Sequence, residues 1–202
     1  MEVQAHGNKY EDIKIRELTG LSKKEYDKLK KNGYTSVFDI SKGLYSDVNI
    51  SIKTVGGNSV NCGDIRRMRS HSTEYDIIIA QWNQVTPTMK EFYTEYIFHI
   101  KPEHEELLWG TMNYDLINEF NEYIKSYDGT NADRDARKQE RQEYQNKIQD
   151  QNALMKINPK MTHKSLRTQC TVHIDKLIAT GVEYSVKPIR IVTDSKPRTF
   201  NK

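Results

Sequence analysis

Cysteine is scarce in this chain, with two residues, Cys62 and Cys170, among 202. So few exclude a disulfide framework and a four-ligand zinc site built on cysteine alone. Long apolar runs are missing as well. The longest strongly apolar stretch covers residues 77–80, far short of the roughly 20 residues that span a bilayer. The N-terminus, MEVQAHGNKYED, lacks the basic-then-apolar pattern of a signal peptide. There is no internal repeat and no glycine-rich phosphate loop of either common type. These absences point to a soluble, cytoplasmic protein without a membrane partner.

What is present argues for a folded domain. Twelve Tyr, five Phe and two Trp are too many for a typical disordered chain, although 29% of the residues are charged. The net charge of +3 hides an asymmetry. Residues 153–202 hold 10 Lys or Arg against 3 Asp or Glu, whereas residues 1–152 hold 21 against 25. A basic C-terminal segment on a slightly acidic body suggests a polyanionic partner.

Periodicity predicts a helix over residues 8–18, capped by Asn8, with Tyr10, Ile13, Glu17 and Leu18 at helical spacing. Ser22 and Glu25 form a capping box for a second helix that stops at Asn32-Gly33. YTSVFDI (34–40) and DVNISIKT (47–54) read as strands, the second alternating apolar and polar. YDIIIAQW and MKEFYTEYIFHI read as a hairpin, with Phe92, Tyr96 and Phe98 sharing one core-facing side. Two further helices follow Pro102 and cover Leu116, Ile117, Phe120 and Ile124. The almost wholly polar residues 128–152 read as an exposed helix or arm, and VEYSVKPIRIV as a final strand. This order predicts an α/β or α+β core, a mixed central β-sheet flanked by helices. The expected division is a core over 1–127, a polar arm over 128–152, and a basic segment over 153–202 that completes the same domain.

Asp39 ends one candidate strand, and Lys53 lies on the polar face of the next. A carboxylate at a strand end beside a lysine is what metal-assisted phosphodiester hydrolysis requires. The carboxylate holds a divalent cation, and the lysine positions the attacking water and offsets charge on the phosphate. Glu11 on the first helix is available to complete the metal shell. The plainer alternative is a solvated strand face.

Four segments carry a resemblance: HGNKYED (6–12), YTSVFDI (34–40), DVNISIKT (47–54) and CGDIRRM (62–68). They resemble the PD-(D/E)XK nuclease superfamily, and in particular small type II restriction endonucleases of viral and bacterial origin. The resemblance implies a restriction-endonuclease-like core and Mg²⁺-dependent, site-specific cleavage of double-stranded DNA. It also implies a Gly-x-x-aromatic-Glu helix, here Gly7, Tyr10 and Glu11. Asp39 matches the motif aspartate and Lys53 the motif lysine. Two positions depart from the pattern. Phe38 stands where a proline precedes the aspartate, and Ser51 replaces the second acid. Glu11, Asp47 and Asp64 are the candidates to replace that ligand, and Asp47 is a second candidate for the motif aspartate. The catalytic set is therefore Asp39, Lys53 and Glu11, with Asp39, Glu11 and Asp47 on the metal.

INPKMTHKSLRTQCTV (157–172) resembles a basic, DNA-contacting segment of the same enzymes. The candidate DNA contacts are Arg66, Arg67, Lys156, Lys160, Lys164, Arg167 and Gln169. Lysine and arginine bind phosphates, and Arg and Gln read base edges. Cutting both strands of a symmetric site calls for a homodimer. The alternative is a non-catalytic DNA-binding protein, because LTGLSKKEYDKLKKNG resembles a helix-hairpin-helix element.

Overall fold

A computed structural model describes residues 5–29, 37–43, 45–127, 131–162 and 165–194. In chain order the elements are α1 (Ala5–Thr19), α2 (Lys23–Leu29), β1 (Asn49–Val55), β2 (Ser59–Asp64), α3 (Ile65–Arg69), β3 (Tyr75–Thr86) and β4 (Met89–Ile100). Then come a 3-10 turn (Pro102–His104), α4 (Glu105–Trp109), α5 (Tyr114–Lys125), α6 (Asn131–Ile148), β5 (Lys156–Thr162), β6 (Ser165–His173), α7 (Ile174–Ala179) and β7 (Tyr184–Asp194). The fold is mixed α+β. Among the described residues, no helix is long and apolar enough to cross a membrane.

The chain forms two compact units, and neither is contiguous. The first comprises Met1–Val60, Glu74–Ile100 and Gly181–Lys202, and the second Asn61–Thr73 and Lys101–Thr180.

The first unit is built on a mixed sheet of order β1-β3-β4-β7. β1 runs parallel to β3, while β3–β4 and β4–β7 are antiparallel. The hairpin expected from YDIIIAQW and MKEFYTEYIFHI is therefore present. Helices α1 and α2 place Tyr10, Ile15 and Tyr26 in one core with Ile50, Ile52, Ile78, Ala80 and Phe92. Tyr10 stacks on Phe92 with ring centroids 4.7 Å apart.

That contact corrects one expectation. Phe92 does not share a face with Tyr96 and Phe98. The β4–β7 register slips between Phe92 and Thr94, and β3–β4 slips opposite at Gln81/Trp82. A bulge adds one residue and so turns Phe92 onto the opposite face. Phe98 stacks instead with Tyr96 and Tyr184.

Helix α1 starts at Ala5, ahead of the expected cap, so Gly7 and Asn8 both lie inside it. Its buried residues are Tyr10, Lys14 and Ile15, while Ile13 and Leu18 are exposed. A buried lysine on a helix needs a partner, and β4 supplies one. Glu95, 2% exposed, takes a hydrogen bond from the Tyr10 hydroxyl and ion pairs from Lys14 at 3.1 Å and Lys187 at 3.0 Å. Burial pushes the Glu95 carboxyl up, but the hydrogen bonds from Tyr10, Lys187 and Lys14 outweigh it and hold it below its ordinary value. Ser22 and Glu25 form the expected capping box at the start of α2: the Ser22 N–H donates to the Glu25 carboxylate at 2.9 Å and the Glu25 N–H to the Ser22 hydroxyl at 3.3 Å.

The second unit carries a three-stranded sheet, β2-β6-β5, with β5 and β6 as an antiparallel hairpin. Asp64 caps α3, its carboxylate accepting from the N–H groups of Arg66 at 3.0 Å and Arg67 at 3.2 Å. The polar segment read as an exposed arm is anchored. Tyr144 of α6 packs edge-on against Phe120 of α5 at 5.3 Å, and Ile148 is buried.

Removing the charge at Glu95 leaves the buried Lys14 ammonium without its buried partner, with the half-exposed Glu17 carboxylate at 2.9 Å remaining. Breaking such a pair by losing one member costs about 3 kcal/mol, so Glu95→Gln is expected to lower the unfolding free energy by that amount in urea titrations. The contribution of Glu95 has a pH window set by its lowered carboxyl. It is full above the ordinary glutamate value of 4.5 and fades as pH falls through the lower folded value. The wild type should lose stability over that acid range, and Glu95→Gln should lack that part of the loss.

Candidate active site

Three sequence-predicted residues of the first unit meet at one edge of its sheet. Ile40 forms an isolated antiparallel bridge with Ile50 of β1. The remainder of the expected strand is bends over 37–39, and residues 34–36 lie outside the described residues. The bridge holds Asp39 beside β1, where its backbone N–H donates to the Ile50 carbonyl at 2.8 Å. One Asp39 carboxylate oxygen accepts from the Ile52 N–H at 2.6 Å. It therefore replaces a backbone acceptor in the ladder, which fixes the side chain. The same oxygen lies 3.6 Å from the Lys53 ammonium.

Glu11 arrives from α1. The Oγ1 of Thr54 on β1 lies 3.2 Å from where a Gly7 Cβ would stand, so the missing side chain permits this close approach of helix to strand. Four residues later, Glu11 faces both Asp39 and Lys23, whose ammonium is 2.6 Å away. The Glu11 carboxyl is pushed up, by burial first and by the neighbouring Asp39 charge second, against the opposing pull of Lys23. Two carboxylates are thus held together on a partly buried edge, bracketed by two ammonium groups.

The other candidates fall elsewhere. Asp47 is exposed in the loop before β1 and forms no hydrogen bond or ion pair with Glu11, Asp39 or Lys53. Asp64 spends its carboxylate on capping α3. Ser51, which stands where the family pattern has an acid, is buried rather than solvated, and its hydroxyl has no hydrogen-bond partner among the described residues. No group of three or more His, Cys, Asp or Glu placed for a metal occurs among the described residues.

The DNA-contact candidates lie in the second unit. Lys160 and Arg167 are directly opposed on the β5–β6 hairpin, and neither forms an ion pair among the described residues. Arg67 is exposed on α3, while Arg66 contacts Asn118 and Glu122. Lys156 donates to the carbonyls of Gln151 and Asp150. Gln169 is buried and accepts from Asn61 at 2.9 Å, so its amide is engaged inside the unit. Lys164 and the neighbouring His163 lie outside the described residues.

Sequence reasoning missed Lys23 as the partner of Glu11, since nothing in a lysine after a capping serine signals it. It also missed the Tyr10–Lys14–Glu95 group. A lysine four residues after a core tyrosine, on the same helix face, was the available signal.

The raised Glu11 carboxyl has a consequence for stability. Its ionised form is disfavoured in the folded state, a penalty present above the folded value and absent below the ordinary value of 4.5. Glu11→Gln is therefore expected to melt at a higher temperature than wild type in neutral or alkaline buffer, with the gap closing as pH falls. Thermal melts followed by circular dichroism across that range measure it.

No family model, no curated protein and no solved structure matches the chain.

Proposed function

We propose that the protein is a Mg²⁺-dependent, site-specific endonuclease hydrolysing phosphodiester bonds of double-stranded DNA, built on a restriction-endonuclease-like core. The single observation that carries this reading is the meeting of Glu11, Asp39 and Lys53, with Lys53 3.6 Å from Asp39. A structural salt bridge needs one carboxylate. A second carboxylate held against the first raises the energy of both unless a further cation is shared between them.

The donor set fits Mg²⁺, a hard cation that proteins commonly hold through one or two carboxylates, leaving its other positions to water and substrate phosphate. Asp39 and Glu11 would hold it. When bound, the ion polarises the phosphate and makes water a stronger nucleophile. Asp39 is oriented for its part by the Ile52 N–H, and Glu11 by α1. Lys53 keeps an ammonium beside Asp39, where it orients the attacking water and offsets charge developing on phosphate oxygens. Lys160, Arg167 and Arg67 supply cations for the DNA backbone. Cleavage of both strands would be served by a homodimer with two such centres.

Incubation of a plasmid with Mg²⁺ is expected to give discrete fragments, and EDTA is expected to prevent them. Lys53→Ala should slow cleavage by about 10²-fold or more, the scale on which a positioned proton-handling or electrostatic group acts, with DNA affinity retained. A gel shift without cleavage under any divalent cation would favour the non-catalytic DNA-binding reading, which Lys160 and Arg167, in no ion pair among the described residues, also support. The hairpin has its own test. If each contacts a phosphate, Lys160→Ala and Arg167→Ala should weaken binding to all sequences alike and reduce the salt slope by about 1 each.

A further inference from the structure

The two lysines of the site are not equivalent. Lys53 projects from the middle of β1, with Asp39 fixed beside it by the strand backbone. Lys23 is the first residue of α2, its N–H donating to Asp12 at 2.7 Å. Its ammonium reaches Glu11 at 2.6 Å through a long flexible stem whose side chain is 30% exposed. On its open side lies a surface cleft of about 530 Å³ lined by Asp12, Lys23, Lys24, Asp27 and Lys28. Lys23 therefore has both a carboxylate to neutralise and a solvated space to leave into. Lys53 is fastened to a strand interior and has no such freedom on its backbone.

We propose that Lys23 is a displaceable internal counter-ion: it neutralises Glu11 in the cation-free protein and competes with Mg²⁺ for the Glu11–Asp39 pair. This rests on the metal-dependent reading above. Without an occupant, two adjacent carboxylates repel, and the Lys23 ammonium relieves the repulsion at Glu11. A divalent cation held by Glu11 and Asp39 would supply more charge at the same place and would repel the ammonium. Lys23 then swings into the cleft, where it joins Lys24 and Lys28 as a third cation facing outward. The exchange lowers the intrinsic affinity for the metal, because every binding event must break the Lys23–Glu11 contact. It also couples the site to the substrate. A backbone phosphate in the cleft would hold Lys23 away from Glu11, and by reciprocity would tighten metal binding.

The test is calorimetric titration of Mg²⁺ into the intact chain, without DNA, at one alkaline pH, for the wild type, Lys23→Met and Lys23→Arg. Lys23→Met should bind Mg²⁺ about threefold to tenfold more tightly, the range expected for removing one competing charge-assisted contact. Lys23→Arg, which keeps the competing charge, should bind as the wild type does. Thermal melts confirm that each variant is folded, and Lys23→Gln serves if Lys23→Met is not. Unchanged or weaker binding by the neutral variant would overturn the inference while leaving the metal site standing. Failure of every protein, wild type included, to bind Mg²⁺ would sink the metal-dependent reading itself and the inference with it.

Discussion

The buried carboxylate of Glu95 is the constraint on which the first unit depends. An ionised group that is 2% exposed costs several kcal/mol in lost hydration unless it is fully paired. Here its partners come from two other elements: Tyr10 and Lys14 from α1, and Lys187 from β7. The helix is therefore held to the sheet at a defined rotation and height, in a way that apolar packing alone does not specify. Slide α1 by one turn and Lys14 loses Glu95, keeping the half-exposed Glu17 of its own helix. The bulge in β4 belongs to the same arrangement, because it turns Phe92 to the face where Tyr10 stacks on it.

Glu11 follows Tyr10 directly in the chain, so whatever fixes Tyr10 also aims Glu11. The Gly7–Thr54 approach brings the helix near β1, the Tyr10–Glu95 contact sets its rotation, and Glu11 is left facing Asp39. Asp39 is positioned independently, by one backbone bridge and by the Ile52 N–H. Two separately anchored carboxylates thus face one another, the Asp39 charge pushing the Glu11 carboxyl up. Placing like charges together at the expense of stability is the usual signature of a functional site rather than of a stabilising one.

Ser51 stands where the resembled family pattern has an acid. Its hydroxyl sits on the same strand as Lys53, two residues earlier, buried and without a partner among the described residues. On the proposed reading, the acid absent at position 51 is brought instead by Glu11 from a helix, so that a motif read along one strand finds the set incomplete.

Local signals were legible. The Ser22–Glu25 capping box, the amphipathic spacing of α5 and the β3–β4 hairpin each depend on residues within a turn or a strand pair of one another. The Asp39–Lys53 pairing was legible in part: both lie close to the apolar residues of the Ile40–Ile50 bridge, although residues 37–39 are bends and not the expected strand. Other features were not legible. The buried stripe of α1 contains Lys14 instead of Ile13 and Leu18, because Glu95 waits 81 residues further along the chain. Gln169 was read as a base-reading group, yet Asn61 engages it inside the second unit. The sequence by itself determined the polar-to-apolar periods, the caps, and which residue types could hold a metal and a phosphate. Only the tertiary structure decided which carboxylates meet and which lysine neutralises each, since contacts between α1, α2, the Asp39 segment and β1 are set by distant burial and not by spacing along the chain.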